Sequence, residues 1–154
     1  MIKKDYEVGG ISSANGGAQT GSPAVETITH KGEALCILVR AAPLPTATTF
    51  YTPNEFNLQV GKIVYAAGTE IPRHSHRLVS RNVTGTSEVI FVQKGRLMLD
   101  LYDETRALVA SREMNSGDVV ALVSGGHGFR LLEDTVLIEV KQGPYSGVQE
   151  KDRF

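Results

Sequence analysis

Four side chains in this sequence could share one metal ion. His74 and His76 stand one residue apart in "PRHSHR", Glu88 opens the apolar run "EVIFVQ", and His127 follows the glycines of "SGGHGF". Imidazole and carboxylate are the common protein ligands of divalent cations when no thiolate is present. On a strand, residues two apart project to the same side, roughly 7 Å apart along the backbone. His74 and His76 would therefore face one centre. His-x-His alone is a weak motif, and a single inward histidine is more often a satisfied core residue than a ligand. The combination with a strand-opening glutamate and a later histidine carries the reading.

The elements that must position these groups are strands. From residue 58 onward, short apolar or alternating segments recur between Gly, Asp and Asn punctuation: "LQVGKIVYAA", "EVIFVQ", "RLMLDLY", "ALVASRE", "DVVALV", "GFRLL" and "TVLIEV". That pattern predicts an all-β sandwich or barrel. Upstream, "VETITH" and "EALCILVRA" flank Lys31-Gly32 as a hairpin. His30, beside that turn, reads as a solvated surface residue. In "TPNEF", Thr52 reads as N-cap, Pro53 as first helical residue and Glu55 as capping partner of one short helical turn.

Two hairpins set the expected faces. With Lys94-Gly95 as a turn, Val92 faces Leu97, Ile90 faces Leu99 and Glu88 faces Leu101, so Glu88 sits on an otherwise aliphatic surface. With Glu133-Asp134 as a turn, Leu131 faces Val136, Phe129 faces Ile138 and His127 faces Val140. In that register Glu139 and Lys141 point away from the His127 face. An unpaired buried carboxylate is costly, so Glu88 needs a partner. A divalent cation would supply one; Arg77 or Arg81 could supply another.

The chain has 154 residues, with 16 basic and 17 acidic side chains and a formal net charge of −1. That length fits one domain able to bury its own core. The charge balance favours neither nucleic acid nor an anionic membrane as partner. No apolar run approaches a membrane span, and the lysines of "MIKKDYEVGG" precede no apolar stretch, so the expected location is cytoplasmic. Residues 1–23, rich in Gly, Ser and Ala, read as a flexible arm, and residues 24–154 as one β domain. Cys36, the single cysteine, reads as a small buried hydrophobe.

At its histidines the chain resembles the cupin superfamily. The first cupin motif runs from a glycine through His-x-His to a glutamate and a second glycine. Here that reads Gly68, "TEIPR", His74-Ser-His76, then Glu88, "VIFVQK", Gly95. The second motif is matched by "GDVVALVSGGHGF", with Gly117 and His127. Eleven residues separate His76 from Glu88, more than the family motif usually has, which reads as an enlarged loop. Val123 stands where the family usually has proline. A narrower resemblance, in "FYTPNEF", "SGGHGF" and "IEVKQGPYSGVQEKDRF", is to small single-domain bacterial cupins often encoded near surface-polysaccharide genes.

The resemblance implies a jelly-roll barrel, the double-stranded β-helix, in which His74, His76, Glu88 and His127 ligate one divalent metal: Mn²⁺, Fe²⁺, Ni²⁺ or Zn²⁺. Such a centre would keep open positions for Lewis-acid chemistry. The expected function is a metal-dependent enzyme acting on a small sugar or keto-acid derivative, of the isomerase or epimerase type. A non-catalytic sugar- or metabolite-binding module and an iron-dependent cupin dioxygenase are the alternatives. Arg77, Arg81 and Asn82 are the candidate substrate-binding residues. No base is identified; Tyr65 and Tyr102 qualify by type alone. The expected partners are a small-molecule ligand and a second copy of the chain in a homodimer built through the N-terminal strands.

Overall fold

Alternation of buried and half-buried side chains accounts for the strands that matter here. In the segment opened by Glu88, the buried residues are Glu88, Ile90 and Val92, with Val89 and Phe91 on the other face. In the next segment Leu97, Leu99 and Leu101 lose all solvent exposure. The computed structural model describes residues 23–143 and 151–154. Its strands are β1 (Val25–His30), β2 (Glu33–Val39), β3 (Thr49–Phe50), β4 (Gly61–Lys62), β5 (Glu88–Lys94), β6 (Arg96–Tyr102), β7 (Leu108–Asn115), β8 (Val119–Leu122), β9 (Gly126–Leu131) and β10 (Val136–Lys141). Among the described residues there is no helix, and hence none long and apolar enough to cross a membrane. The expected arm, save Pro23, lies outside the described residues, as does Tyr145.

The chain divides into two compact units. One spans Leu44–Gly85 and contains the short antiparallel pair β3–β4. The helical turn expected at Thr52 is reduced to a single hydrogen-bonded turn at residues 53–56 that Thr52 does not cap. Phe56 N donates to Pro53 O at 3.2 Å, while the Thr52 hydroxyl accepts from Val60 N at 2.9 Å and so ties two loop segments instead of capping a helix. Of the strand expected from residue 58, only Gly61 and Lys62 pair; Ile63, Val64 and Tyr65 are exposed.

The other unit comprises Pro23–Pro43 and Thr86–Phe154 and holds eight strands in two antiparallel sheets. Their orders are β1-β2-β8-β5-β10 and β7-β6-β9. One apolar core joins them: Leu38, Ile90, Val92 and Val120 from the first sheet meet Leu97, Leu99, Leu101 and Met114 from the second. Each sheet keeps two edge strands, so the pair is not closed into a barrel. The Lys31-Gly32 hairpin forms as the sequence predicts, with both turn residues at positive φ. Cys36 is fully buried in this core, and burial pushes its thiol up to about 12.

Both hairpins expected downstream are replaced by crossings between the sheets. β5 pairs with β8 and β10, and β6 with β7 and β9, so the chain changes sheet at Gly95. The expected faces survive because both strands point Glu88, Ile90, Val92, Leu97, Leu99 and Leu101 into the shared interior. Period-two patterning specifies which side is buried, and it is silent on which strand lies alongside.

The second crossing leads from β9 to β10, and a bulge between Val136 and Leu137 shifts the register there. β10 takes its faces from its pairing with β5, where Leu137 to Lys141 lie opposite Val92 to Glu88 without interruption. Leu137 therefore packs on the core, while Val136, Ile138 and Val140, expected inside, are exposed. Glu139 and Lys141, expected to point away, share the face of Ile90 and Glu88, their register partners.

The crossings pack against each other at Gly95. This residue has φ +92, and a Cβ there would lie 2.6 Å from both Asp134 O and Thr135 Oγ1. Gly95→Ala combines a left-handed backbone with a clash against main chain, so it is expected to cost about 2 kcal/mol in urea denaturation. A loss below about 0.5 kcal/mol would show that the crossings are not packed as described.

Candidate functional site

Glu88 is the first residue of β5, flanked in register by Leu122 of β8 and Lys141 of β10. Only 6% of it is exposed. From the facing sheet, β9 brings His127 in register with Leu101 of β6. His127 Nε2 lies 3.1 Å from Glu88 Oε2. The second carboxylate oxygen, Oε1, lies 3.3 Å from Lys151 Nζ.

The turn before β9 makes this meeting possible. Val123 N and Ser124 N donate to Leu35 O, and the Ser124 hydroxyl donates to Ala34 O at 2.8 Å. Gly125 then takes φ +69, where a Cβ would stand 2.5 Å from Tyr102 O and 2.9 Å from Leu35 Cδ2. Only glycine fits that approach, and it delivers His127 two residues later.

The pair lines a cavity of about 790 Å³, together with Tyr102, Lys141, Lys151 and Phe154 among others. That is within the usual size range of small-molecule sites. Burial holds the His127 imidazole below its ordinary range; the Glu88 charge opposes this and the Lys151 charge reinforces it. His127 is thus a neutral base near pH 7. With Nε2–H directed at Glu88, Nδ1 is the nitrogen able to accept a proton.

Stability follows from the same displacement. As pH falls below about 6.5, the unfolded chain protonates this histidine first, while the folded one resists. Its contribution is complete above about 6.5 and is lost as pH drops through the lower folded value. His127→Gln is expected to flatten the melting temperature against pH over that window. An unchanged slope would contradict a buried neutral imidazole.

His74 and His76 lie in the other unit, within an exposed segment without regular structure, so they are not on a strand as expected. Their rings meet edge to face, with centroids 5.4 Å apart, and His74 Nδ1 is 3.0 Å from Pro72 O. Arg77, Arg81 and Asn82 are exposed in the same segment. His30, expected to be solvated, is half-buried, with Nε2 at 3.5 Å from Asp103 Oδ2.

The structure thus joins Glu88 to His127, and His74 to His76. A catalytic metal of the implied kind needs at least three protein ligands. Among the described residues, no group of three or more His, Cys, Asp or Glu side chains could hold a metal ion. The Glu88 site has two donors, and an ammonium stands at the carboxylate's other oxygen. Glu88 and His127 by themselves supply fewer donors than such a cation takes.

Sequence reasoning missed Lys141, Lys151 and Phe154. Lys141 was hidden because β10 pairs with β5, opposite Glu88, and not with β9 as the expected hairpin has it. Lys151 and Phe154 sit in the polar run "QEKDRF", whose only signal is one aromatic among charges. Of the tyrosines named by type, Tyr102 lines the cavity and Tyr65 is exposed in the other unit. No protein-family model, curated protein or solved structure matches the chain.

Proposed function

We propose that the cavity binds a small oxygen-rich compound, a sugar or keto-acid derivative, and that Glu88 and His127 move a proton on it in an isomerisation or epimerisation. The observation that carries this reading is a neutral imidazole 3.1 Å from a buried carboxylate on the wall of a ligand-sized cavity. His127 Nδ1 would accept the proton from carbon adjacent to a carbonyl, and the electron pair would move onto the carbonyl oxygen as an enediolate or enolate. Glu88 would stabilise the imidazolium so formed, as a carboxylate does for a catalytic histidine. Return of the proton to the neighbouring carbon, with the hydroxyl proton passing from one oxygen to the other, completes an isomerisation; protonation of the same carbon from the opposite face, by a second donor, completes an epimerisation. An ammonium near the developing oxyanion would lower the barrier further, and Lys151 is the nearest candidate.

The cupin reading of the fold belongs to the same proposal. The changes of sheet at Gly95 and between β9 and β10 are what a jelly roll requires, and they support it. A metal-dependent form using His74, His76, Glu88 and His127 is supported by the order of those residues along the chain. It would require Lys151 to leave Glu88. The binding-module reading draws support from that same Lys151–Glu88 pair, which already occupies the carboxylate.

The test is exchange in D₂O. Aldoses, ketoses, sugar nucleotides and 2-keto acids are incubated with the protein, and deuterium beside the carbonyl is read by NMR. Exchange is expected on at least one class, with a loss of about 100-fold or more in His127→Gln. Ligand binding without exchange would replace catalysis by the binding module. Arms with chelator and with each of Mn²⁺, Fe²⁺, Ni²⁺ and Zn²⁺ test metal dependence, and oxygen consumption with Fe²⁺ would indicate a dioxygenase.

A further inference from the structure

We infer that residues 151–154 form part of the ligand site, and that Lys151 selects ligands carrying an anionic group, a carboxylate or a phosphate. This rests on reading the cavity as a ligand site and adds what that site prefers. Lys151 Nζ reaches Glu88 Oε1 at 3.3 Å; its side chain is 43% exposed, against 8% for that of Glu88. The ammonium therefore sits between a buried carboxylate and the open cavity. An ammonium carries three donors, more than its ion pair with one Glu88 oxygen requires. Lys141 brings a second ammonium to the same strand face, 3.8 Å from Glu139 Oε1. Of the other acidic residues lining the cavity, Asp152 is exposed next to Lys151 in sequence, and Asp103 and Glu104 are already engaged. Asp103 accepts from Thr105 N, Thr105 Oγ1 and Ala107 N, and Glu104 pairs with Lys31.

Phe154 holds this segment in place. Its ring packs edge to face on Tyr102 with centroids 5.2 Å apart, and the Arg106 guanidinium lies 5.2 Å from its centre. A Cβ at Gly126 would come within 3.0 Å of Phe154 Cζ, so the glycine leaves the space in which the ring rests. Two residues, Asp152 and Arg153, separate the ammonium from its aromatic anchor, so loss of the anchor should disperse the charge without removing it.

The experiment is an amide NMR titration of the full chain with inorganic phosphate, pyruvate and a neutral monosaccharide, read at Gly126 and Gly128. Phosphate and pyruvate are expected to shift both signals. Lys151→Met should weaken both anions about tenfold or more, the scale of one charge-assisted hydrogen bond. Lys151→Arg should stay within about threefold of the parent. Phe154→Ala, which keeps the ammonium, should behave as Lys151→Met does, with the remaining spectrum showing an intact fold. In Lys151→Met, binding of the neutral sugar should fall far less than binding of the two anions. Unchanged anion binding in Lys151→Met overturns the inference. So does a parent protein that responds to the sugar and ignores the anions, an outcome that leaves the cavity as a ligand site. Silence toward all three probes overturns both.

Discussion

Asp118→Ala is expected to destabilise the fold by about 3–5 kcal/mol, the range for breaking a buried ion pair from one side. Asp118 is 3% exposed at the turn leading into β8. Its Oδ2 accepts from Arg40 Nη1 at 2.9 Å and from Asn115 N at 3.0 Å, while Oδ1 accepts from Ala41 N at 2.8 Å. One carboxylate thus ties the segment after β2 to the end of β7 and the start of β8. Alanine would remove one acceptor from two backbone N–H groups and one carboxylate from a guanidinium that is 14% exposed. Asp118→Asn should recover only part of the loss, since an amide offers one acceptor oxygen and no charge. Urea denaturation with the slope held constant measures both, and a loss under about 1 kcal/mol for the alanine variant would contradict this role.

Glu88→Leu should do the reverse: leave the melting temperature unchanged or raise it, and abolish turnover or binding by about 100-fold or more. Glu88 lies on the core face with Ile90 and Val92, where leucine belongs by pattern. Its partners make removal cheap. His127 is neutral when buried, and Lys151 is half-exposed and can turn to water. No buried charge is stranded, so the usual penalty for deleting one partner does not arise. Replacing a buried ionic group by an apolar one is often neutral or stabilising. A carboxylate kept at such a position costs stability that activity would justify. Calorimetry alongside the D₂O exchange assay separates the two effects. A strongly destabilised Glu88→Leu would make Glu88 structural.

The burial of β5 and β6 was legible because one face is aliphatic except for Glu88, while the other mixes Val89, Phe91 and Met98 with Asp100 and Tyr102. The sequence did not reveal that these strands belong to different sheets, since a crossing at Gly95 and a hairpin at Lys94-Gly95 bury the same side chains. The faces of β10 were not legible. Val136, Ile138 and Val140 look like an inward face, and the pairing with β5 that turns them outward has no signature in side-chain type. Of the candidate site, Glu88 and His127 were legible as polar interruptions of apolar faces, and the structure places them in contact. His74 and His76 were legible as a pair, although the extended regularity assumed for them is absent. Lys151 was not legible, because its contact with Glu88 spans 63 residues of sequence.

The decisive measurement is the titration of the His127 imidazole by NMR, in the parent protein and in Glu88→Leu. If the two groups meet in a shielded cavity, His127 titrates below about 6.5 as a neutral Nε2–H tautomer. It then falls further when Glu88 is removed, because the carboxylate's charge supports the protonated ring. A His127 that titrates at or above about 6.5 and does not respond to Glu88→Leu would mean that the two side chains do not share a site.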